Sequence, residues 1–278
     1  MTLVAVCSLK GSPGVTTVAV GLAGRWPGGH RPVVVECDPA GGDLMARYWL
    51  EMAPGLVSLA AAARRNADPG LLWRHTQQLP GGLPVVVGPP GAEQARAAVR
   101  QFVGDDGALL RSVASRAGAV VVADCGRIDA YSPAMPVLHR ADMLLLLSHA
   151  RDDALAHLAT RVEAVERWSR RPLFVLVGGG YRSDEVAQEL GIEVAARLPE
   201  DDRGAAVLSG TAGSRSAPVR SALGKALASL AVRLAGRPAG VRGHAADTDE
   251  LAAPALHFSL PASRPPGSPD VSGNGAIR

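Results

Sequence analysis

The sequence predicts a doubly wound α/β fold, a mostly parallel sheet with helices on both faces, followed by a disordered tail. Three observations lead there. Seven short runs rich in Val, Leu and Ile recur before residue 196, helical patterns or turn residues separate them, and the composition changes after residue 236. Runs that are apolar at every position, rather than alternating, are what parallel strands covered by helices on both sides require.

The runs at 3–7, 33–37, 85–87, 119–123, 143–147, 173–177 and 192–195 read as the strands. Residues 152–168 place Leu155, Leu158, Val162, Val165 and Trp168 at spacings of three and four, with Arg161, Glu163, Glu166 and Arg167 elsewhere, which predicts one amphipathic helix. A closing helix over 218–234 carries Val219, Leu223, Leu227, Leu230, Val232 and Leu234. Strands alternating with helices imply right-handed crossovers and a ligand site at the carboxyl ends of the strands. The site is therefore to be sought just after strands.

Composition bounds the rest. The chain has 278 residues, 47% hydrophobic and 20% charged, at net charge +3, which excludes wholesale disorder and a polyelectrolyte. Residues 1–236 form the expected domain. Residues 237–278 hold six Pro and five Gly, with four Arg against Asp247, Asp249, Glu250 and Asp270, and read as a disordered tail. Cys7, Cys37 and Cys125 are odd in number and far apart, as reduced core thiols of a cytoplasmic protein would be. The first residues have no basic segment ahead of their apolar stretch, and no run approaches membrane-span length. Of 29 basic residues only Lys10 and Lys225 are lysines, so their placement carries information.

The first strand runs into Ser8-Leu9-Lys10-Gly11-Ser12-Pro13-Gly14-Val15-Thr16-Thr17 and then a helix. Strand, glycine loop and helix start form a phosphate-binding architecture, because backbone N–H groups and the positive helix end converge on an anion. The ordinary pattern G-x-x-x-x-G-K-[ST] fails at two places, Leu9 and Val15. The second strand closes on Glu36-Cys37-Asp38-Pro39-Ala40-Gly41-Gly42, and the fourth on Asp124.

These three segments, in this order, resemble the ParA/MinD family of deviant Walker A P-loop ATPases, in its MinD/CpaE-like branch, with a degenerate P-loop. Lys10 stands at the family's signature lysine, Gly11 and Gly14 at two glycines, and Thr16 and Thr17 at the terminal pair; Ser12 replaces a glycine and Val15 the phosphate-binding lysine. The resemblance implies that residues Lys10, Gly11, Ser12, Pro13, Gly14, Val15, Thr16 and Thr17 bind nucleotide. It also implies that Lys10 reaches the phosphates of a partner subunit, that Thr16, Asp38 and Asp124 serve Mg²⁺, and that Asp38 orients the attacking water. Glu36 occupies the place of the family's first switch aspartate. Residues 83–88, Ala141-Asp142-Met143 and 191–203 extend the likeness over about residues 1–236.

The implied function is an ATP-switched homodimer that positions a cellular cargo in chromosome or plasmid partitioning, cell division, or a secretion or pilus apparatus, with weak ATP hydrolysis. The alternatives are a pseudo-ATPase scaffold without turnover and a metabolic relative of the superfamily. Arginine bias does not explain Val15, since it would favour arginine there. Gly178-Gly179-Gly180 follows the sixth strand where relatives often carry an adenine-reading asparagine. Relatives also imply an unidentified protein partner, DNA contact through surface arginines, or peripheral membrane contact at the inner membrane or cell pole through a basic closing helix. Here the arginines are scattered singly, and 218–234 reads as a helix packed on the sheet.

Overall fold

The computed structural model describes residues 2–65, 68–104, 108–169, 171–210 and 220–237. The tail from 238 and the expected helix start at 218–219 lie outside the described residues. In chain order the elements are β1 (Thr2–Ser8), α1 (Val15–Gly24), β2 (Arg31–Glu36), α2 (Leu44–Tyr48), α3 (Leu56–Ala63), α4 (Gly70–Arg74), β3 (Gln77–Gln78) and β4 (Pro84–Val86). They continue as α5 (Ala92–Val103), α6 (Ala108–Ala114), β5 (Ala119–Arg127), α7 (Met135–Arg140), β6 (Met143–Ala150), α8 (Asp152–Ala159) and α9 (Val162–Trp168). The last are β7 (Pro172–Gly180), α10 (Ser183–Leu190), β8 (Val194–Leu198), α11 (Asp202–Leu208) and the closing helix α12 (Ala222–Ala235).

The eight strands make one sheet in the order β3-β4-β2-β5-β1-β6-β7-β8. Every pairing is parallel except β3 with β4. Side chains of one strand alternate between faces, and the core divides accordingly. Leu3, Ala5 and Cys7 join Val33, Val35, Cys37, Val121, Ala123 and Cys125 on the face covered by α3, α5, α6 and α7. Val4, Val6, Val34, Val120 and Val122 join the other, under α1 and α12. All three cysteines are buried and unpaired.

Two helices depart from expectation. The pattern at 152–168 folds as two helices, α8 and α9, interrupted at Thr160-Arg161. The Thr160 hydroxyl donates to the His157 carbonyl at 3.0 Å, a local bond that competes with helix continuation. In α12, Ser221 caps the start by accepting from Gly224 N–H at 2.9 Å, and Leu223, Leu227, Leu230 and Leu234 are buried, but Val232 is 62% exposed. The helix packs on α1, α11 and β8, so its apolar stripe belongs to the core. Among the described residues no helix is long and apolar enough to cross a membrane.

Because β1 sends the chain to β2 on one side and β5 hands it to β6 on the other, the winding of the chain reverses at β5-β1-β6 while the strands stay parallel. That places a crevice at the carboxyl ends of these strands.

Candidate functional site

The loop between β1 and α1 occupies that crevice. Gly11 and Gly14 have φ of +73° and +86°, a backbone conformation glycine adopts without steric cost. Nothing lies within 4 Å of where a Cβ of Gly11 would sit, so the loop surface there is open. Among the described residues, the N–H groups of Gly11, Ser12, Gly14, Val15, Thr16 and Thr17 meet no backbone acceptor. They form a cradle of donors at the positive end of α1. Lys10 is exposed, with Nζ 4.0 Å from Asp153 Oδ2 on α8, a weak solvent-screened pair. Thr16 and Thr17 are half-buried, and Thr17 Oγ1 lies 3.5 Å from Ser209 Oγ. Val15 is 7% exposed and packs in the core cluster of Val4, Val6 and Val18. Its side chain is committed to the core and offers the loop no charge.

Two acids face one another beside this loop. Glu36 on β2 pairs in register with Asp124 on β5, and Cys37 N–H donates to the Asp124 carbonyl at 2.7 Å. Asp124 is buried; Oδ1 accepts from Gly126 N–H at 3.1 Å, while Oδ2 is buried with no hydrogen-bond partner. Burial pushes its pKa up to about 7, the nearby Thr16 hydroxyl pulls it down, and the charges of Asp38 and Asp43 push it up. The register slips by one residue between Asp124 and Arg127, and Gly126 sits at φ +57° in that bulge. A side chain at Gly126 would overlap the Asp38 carboxylate, so Asp38 rests directly on the backbone two residues past Asp124. Asp38 Oδ1 accepts from Ala40 N–H at 2.7 Å. Its pKa is raised, chiefly by burial and then by Asp43, against the lowering pull of that bond and of Arg127 and Arg96.

Glu36 has a different task from Asp38. Its Oε1 accepts from Asp43 N–H at 2.7 Å and Leu44 N–H at 3.0 Å, and its Oε2 from Gly88 N–H at 2.8 Å. It thus ties the far end of the Asp38 loop to the exit of β4. Burial and the Asp124 charge push its pKa up to about 7 despite the three bonds. Its partners are backbone groups seven, eight and 52 residues away, which no local pattern announces. Asp43, which no motif marks, acts electrostatically on Asp38 and Asp124 and pairs with Arg47 at 2.5 Å.

The structure brings residues 10–17, Asp38 and Asp124 to one crevice, and leaves other marked segments outside it. Asp142 lies at the amino end of β6, where it accepts from Leu3 N–H at 2.8 Å and Arg111 at 2.5 Å, a joint between strands and helix. The 178–180 glycines extend β7. At Gly178, with φ +76°, a Cβ would lie 2.5 Å from Glu200 Oε1, and Arg197 binds the Gly178 carbonyl at 2.7 Å. Glu200 and Arg197 therefore explain the glycine.

Among the described residues no three His, Cys, Asp or Glu side chains are grouped to hold a metal. A cation here would be held by few protein oxygens. The orphaned, buried Asp124 Oδ2 beside the Thr16 hydroxyl suits that arrangement, because a divalent ion would satisfy the one and offset the charge that burial penalises.

No family model matches the sequence, and no curated protein matches it. Solved structures match the fold. A ParA family ATPase from Chlorobium tepidum aligns at TM-score 0.64 and 19% identity, covering 84% of this chain and 98% of that one. The septum site-determining protein MinD of Pyrococcus horikoshii, solved with Mg-ADP, aligns at TM-score 0.66 and 17% identity, covering 85% and 98%. A Cyanothece McdA variant in complex with ATP aligns at TM-score 0.62 and 15% identity, covering 87% and 99%. At these identities the likeness establishes the fold.

Proposed function

We propose that this chain, built on the fold of the ParA/MinD ATPases, is a nucleotide-switched protein that binds ATP with Mg²⁺, dimerises and positions a cellular cargo, hydrolysing ATP slowly. The observation that carries the proposal is the buried Asp124 carboxylate beside the Thr16 hydroxyl, at the foot of a loop whose N–H groups meet no backbone acceptor among the described residues.

In this reading the N–H groups of Gly11, Ser12, Gly14, Val15, Thr16 and Thr17 bind the phosphates, and α1 adds its dipole. Mg²⁺, when bound through Thr16 and Asp124, offsets the repulsion between carboxylates and polyphosphate. Asp38, held by Ala40 N–H and seated on Gly126, accepts a hydrogen bond from the attacking water. Glu36 keeps the loop bearing Asp38 against the strand ends. Lys10, exposed and paired only weakly with Asp153, is free to turn toward a second subunit. The cargo belongs to partitioning, septum placement or a secretion or pilus apparatus, and a protein partner accompanies it.

One observation favours a second reading, a pseudo-ATPase adaptor of the same fold. Val15 packs in the core, so the lysine that would bridge phosphates as the bond breaks has no counterpart in the loop. Sedimentation mass with Mg·ATP, with Mg·ADP and without nucleotide separates the two. A doubling of mass with ATP alone supports the switch; one mass in all three conditions would remove it.

A further inference from the structure

A second concavity lies at the amino ends of the strands, at the opposite edge of the sheet from the phosphate loop. Its volume is about 510 Å³, and its walls include Trp26, Arg31, Trp73, Thr76, Gln78 and Leu83. β2 links the two places: Arg31 opens the strand and Glu36 closes it, five residues later, roughly 16–17 Å away. α1 runs between them in the opposite sense, from Val15 in the loop to Ala23 and Gly24 in the wall of the cavity.

Its chemistry is one-sided. None of the lining residues is an acid. The Arg31 guanidinium carbon sits 4.6 Å from the centre of the Trp73 ring. Stacking of this kind fixes the plane of the guanidinium while leaving its N–H donors available. Among the described residues no carboxylate pairs with Arg31. Trp26 is 8% exposed, and its indole N–H is buried without an acceptor. The Thr76 hydroxyl is directed to the Trp73 carbonyl at 3.0 Å, which holds that ring's backbone in place.

Two indole walls, one oriented cation that no carboxylate pairs with among the described residues, and room for a drug-sized molecule suit a flat anion with an apolar body. A bare phosphate would leave the rings uncovered, and a neutral ring would leave the guanidinium unmatched. We infer that this cavity binds a small aromatic carboxylate, its ring against Trp26 and Trp73 and its carboxylate on the Arg31 guanidinium.

The test uses the full chain labelled with ¹⁵N, whose four tryptophans each give an indole N–H signal. Naphthalene-2-carboxylate, its neutral carboxamide and inorganic phosphate are titrated separately. The carboxylate should shift the Trp26 and Trp73 signals saturably, and the carboxamide should bind about tenfold more weakly. Arg31→Gln should weaken the carboxylate about tenfold and leave the carboxamide unchanged, with the remaining spectrum intact because Arg31 is exposed. Equal binding of acid and amide, an inert Arg31→Gln, shifts confined to Trp49 and Trp168, or the same shifts from phosphate alone would each overturn the inference. The inference does not rest on the nucleotide reading: Asp38→Ala should leave carboxylate affinity untouched, so either can fail while the other stands.

Discussion

Replacing Val15 with lysine should tighten Mg·ATP binding while lowering stability, and the two effects can be sized separately. Val15 is 7% exposed in a cluster with Val4, Val6, Val18 and Val122. Losing a buried valine forfeits about 1.5–2 kcal/mol of transfer free energy, and imperfect refilling brings the loss to about 2–3 kcal/mol. In a domain of this size each kcal/mol lowers the melting temperature by roughly 2–4 °C, so a drop of roughly 4–12 °C is expected. Against this, a lysine turned into the loop makes a charge-assisted hydrogen bond of about 1.5–3 kcal/mol to phosphate. That is roughly a 10- to 150-fold gain in affinity. Calorimetric titration with Mg·ATP reads the gain, and thermal melting of the free protein reads the loss. A lower melting temperature with unchanged affinity would refute the reasoning, because it would mean that position 15 no longer adjoins the phosphates.

Four further outcomes are expected. Asp38→Ala should abolish ATP hydrolysis, followed by phosphate release, while Mg·ATP affinity in calorimetry changes little; hydrolysis that survives would remove Asp38 from the water-orienting role. Gly126→Ala should push Asp38 off its seat and lower turnover as far as Asp38→Ala does, since φ +57° also disfavours alanine; retained turnover would show that Asp38 works from another position. Glu36→Gln preserves the acceptor for Asp43 and Leu44 but sets an amide NH₂ against Gly88 N–H, so urea denaturation should show a loss of about 1–3 kcal/mol. The fourth concerns pH. Asp124 and Glu36 are raised to about 7 in the folded state, so the native protein holds protons that the unfolded chain has already released. Stability of the ligand-free protein should fall as pH rises from about 5 to 7, and Asp124→Asn should flatten that fall in melts across the range. A fall of the same steepness in Asp124→Asn would exclude Asp124 as its source.

The strands were legible because parallel strands buried on both faces leave an unbroken apolar signature, as at Val33-Val34-Val35 and 143–147. β3, two residues long and half-exposed, leaves none, and its antiparallel pairing depends on the turn at Gly81-Gly82. The break at Thr160 was hidden because Leu158 and Val162 keep helical spacing on either side of it. In the candidate site, the loop at 10–17, Asp38 and Asp124 could be marked because each follows a strand. What each does with its neighbours could not. Whether Val15 faces phosphate or core depends on packing with Val4 and Val6, and Glu36 acts through backbone donors that only the fold assembles. The 178–180 glycines read as a missing base contact, yet Gly178 makes room for Glu200, which lies 22 positions later.

The central question is whether the crevice at β5-β1-β6 holds a metal-bound nucleotide. Calorimetric titration of the full chain with ATP, in the presence of Mg²⁺ and again with Mg²⁺ chelated, addresses it. Saturable binding that weakens at least tenfold on chelation is expected, because the charges of Glu36, Asp38, Asp43 and Asp124 act on one another in the crevice and the lysine at position 15 is absent. No binding at millimolar ATP with Mg²⁺, or binding indifferent to the metal, would contradict it.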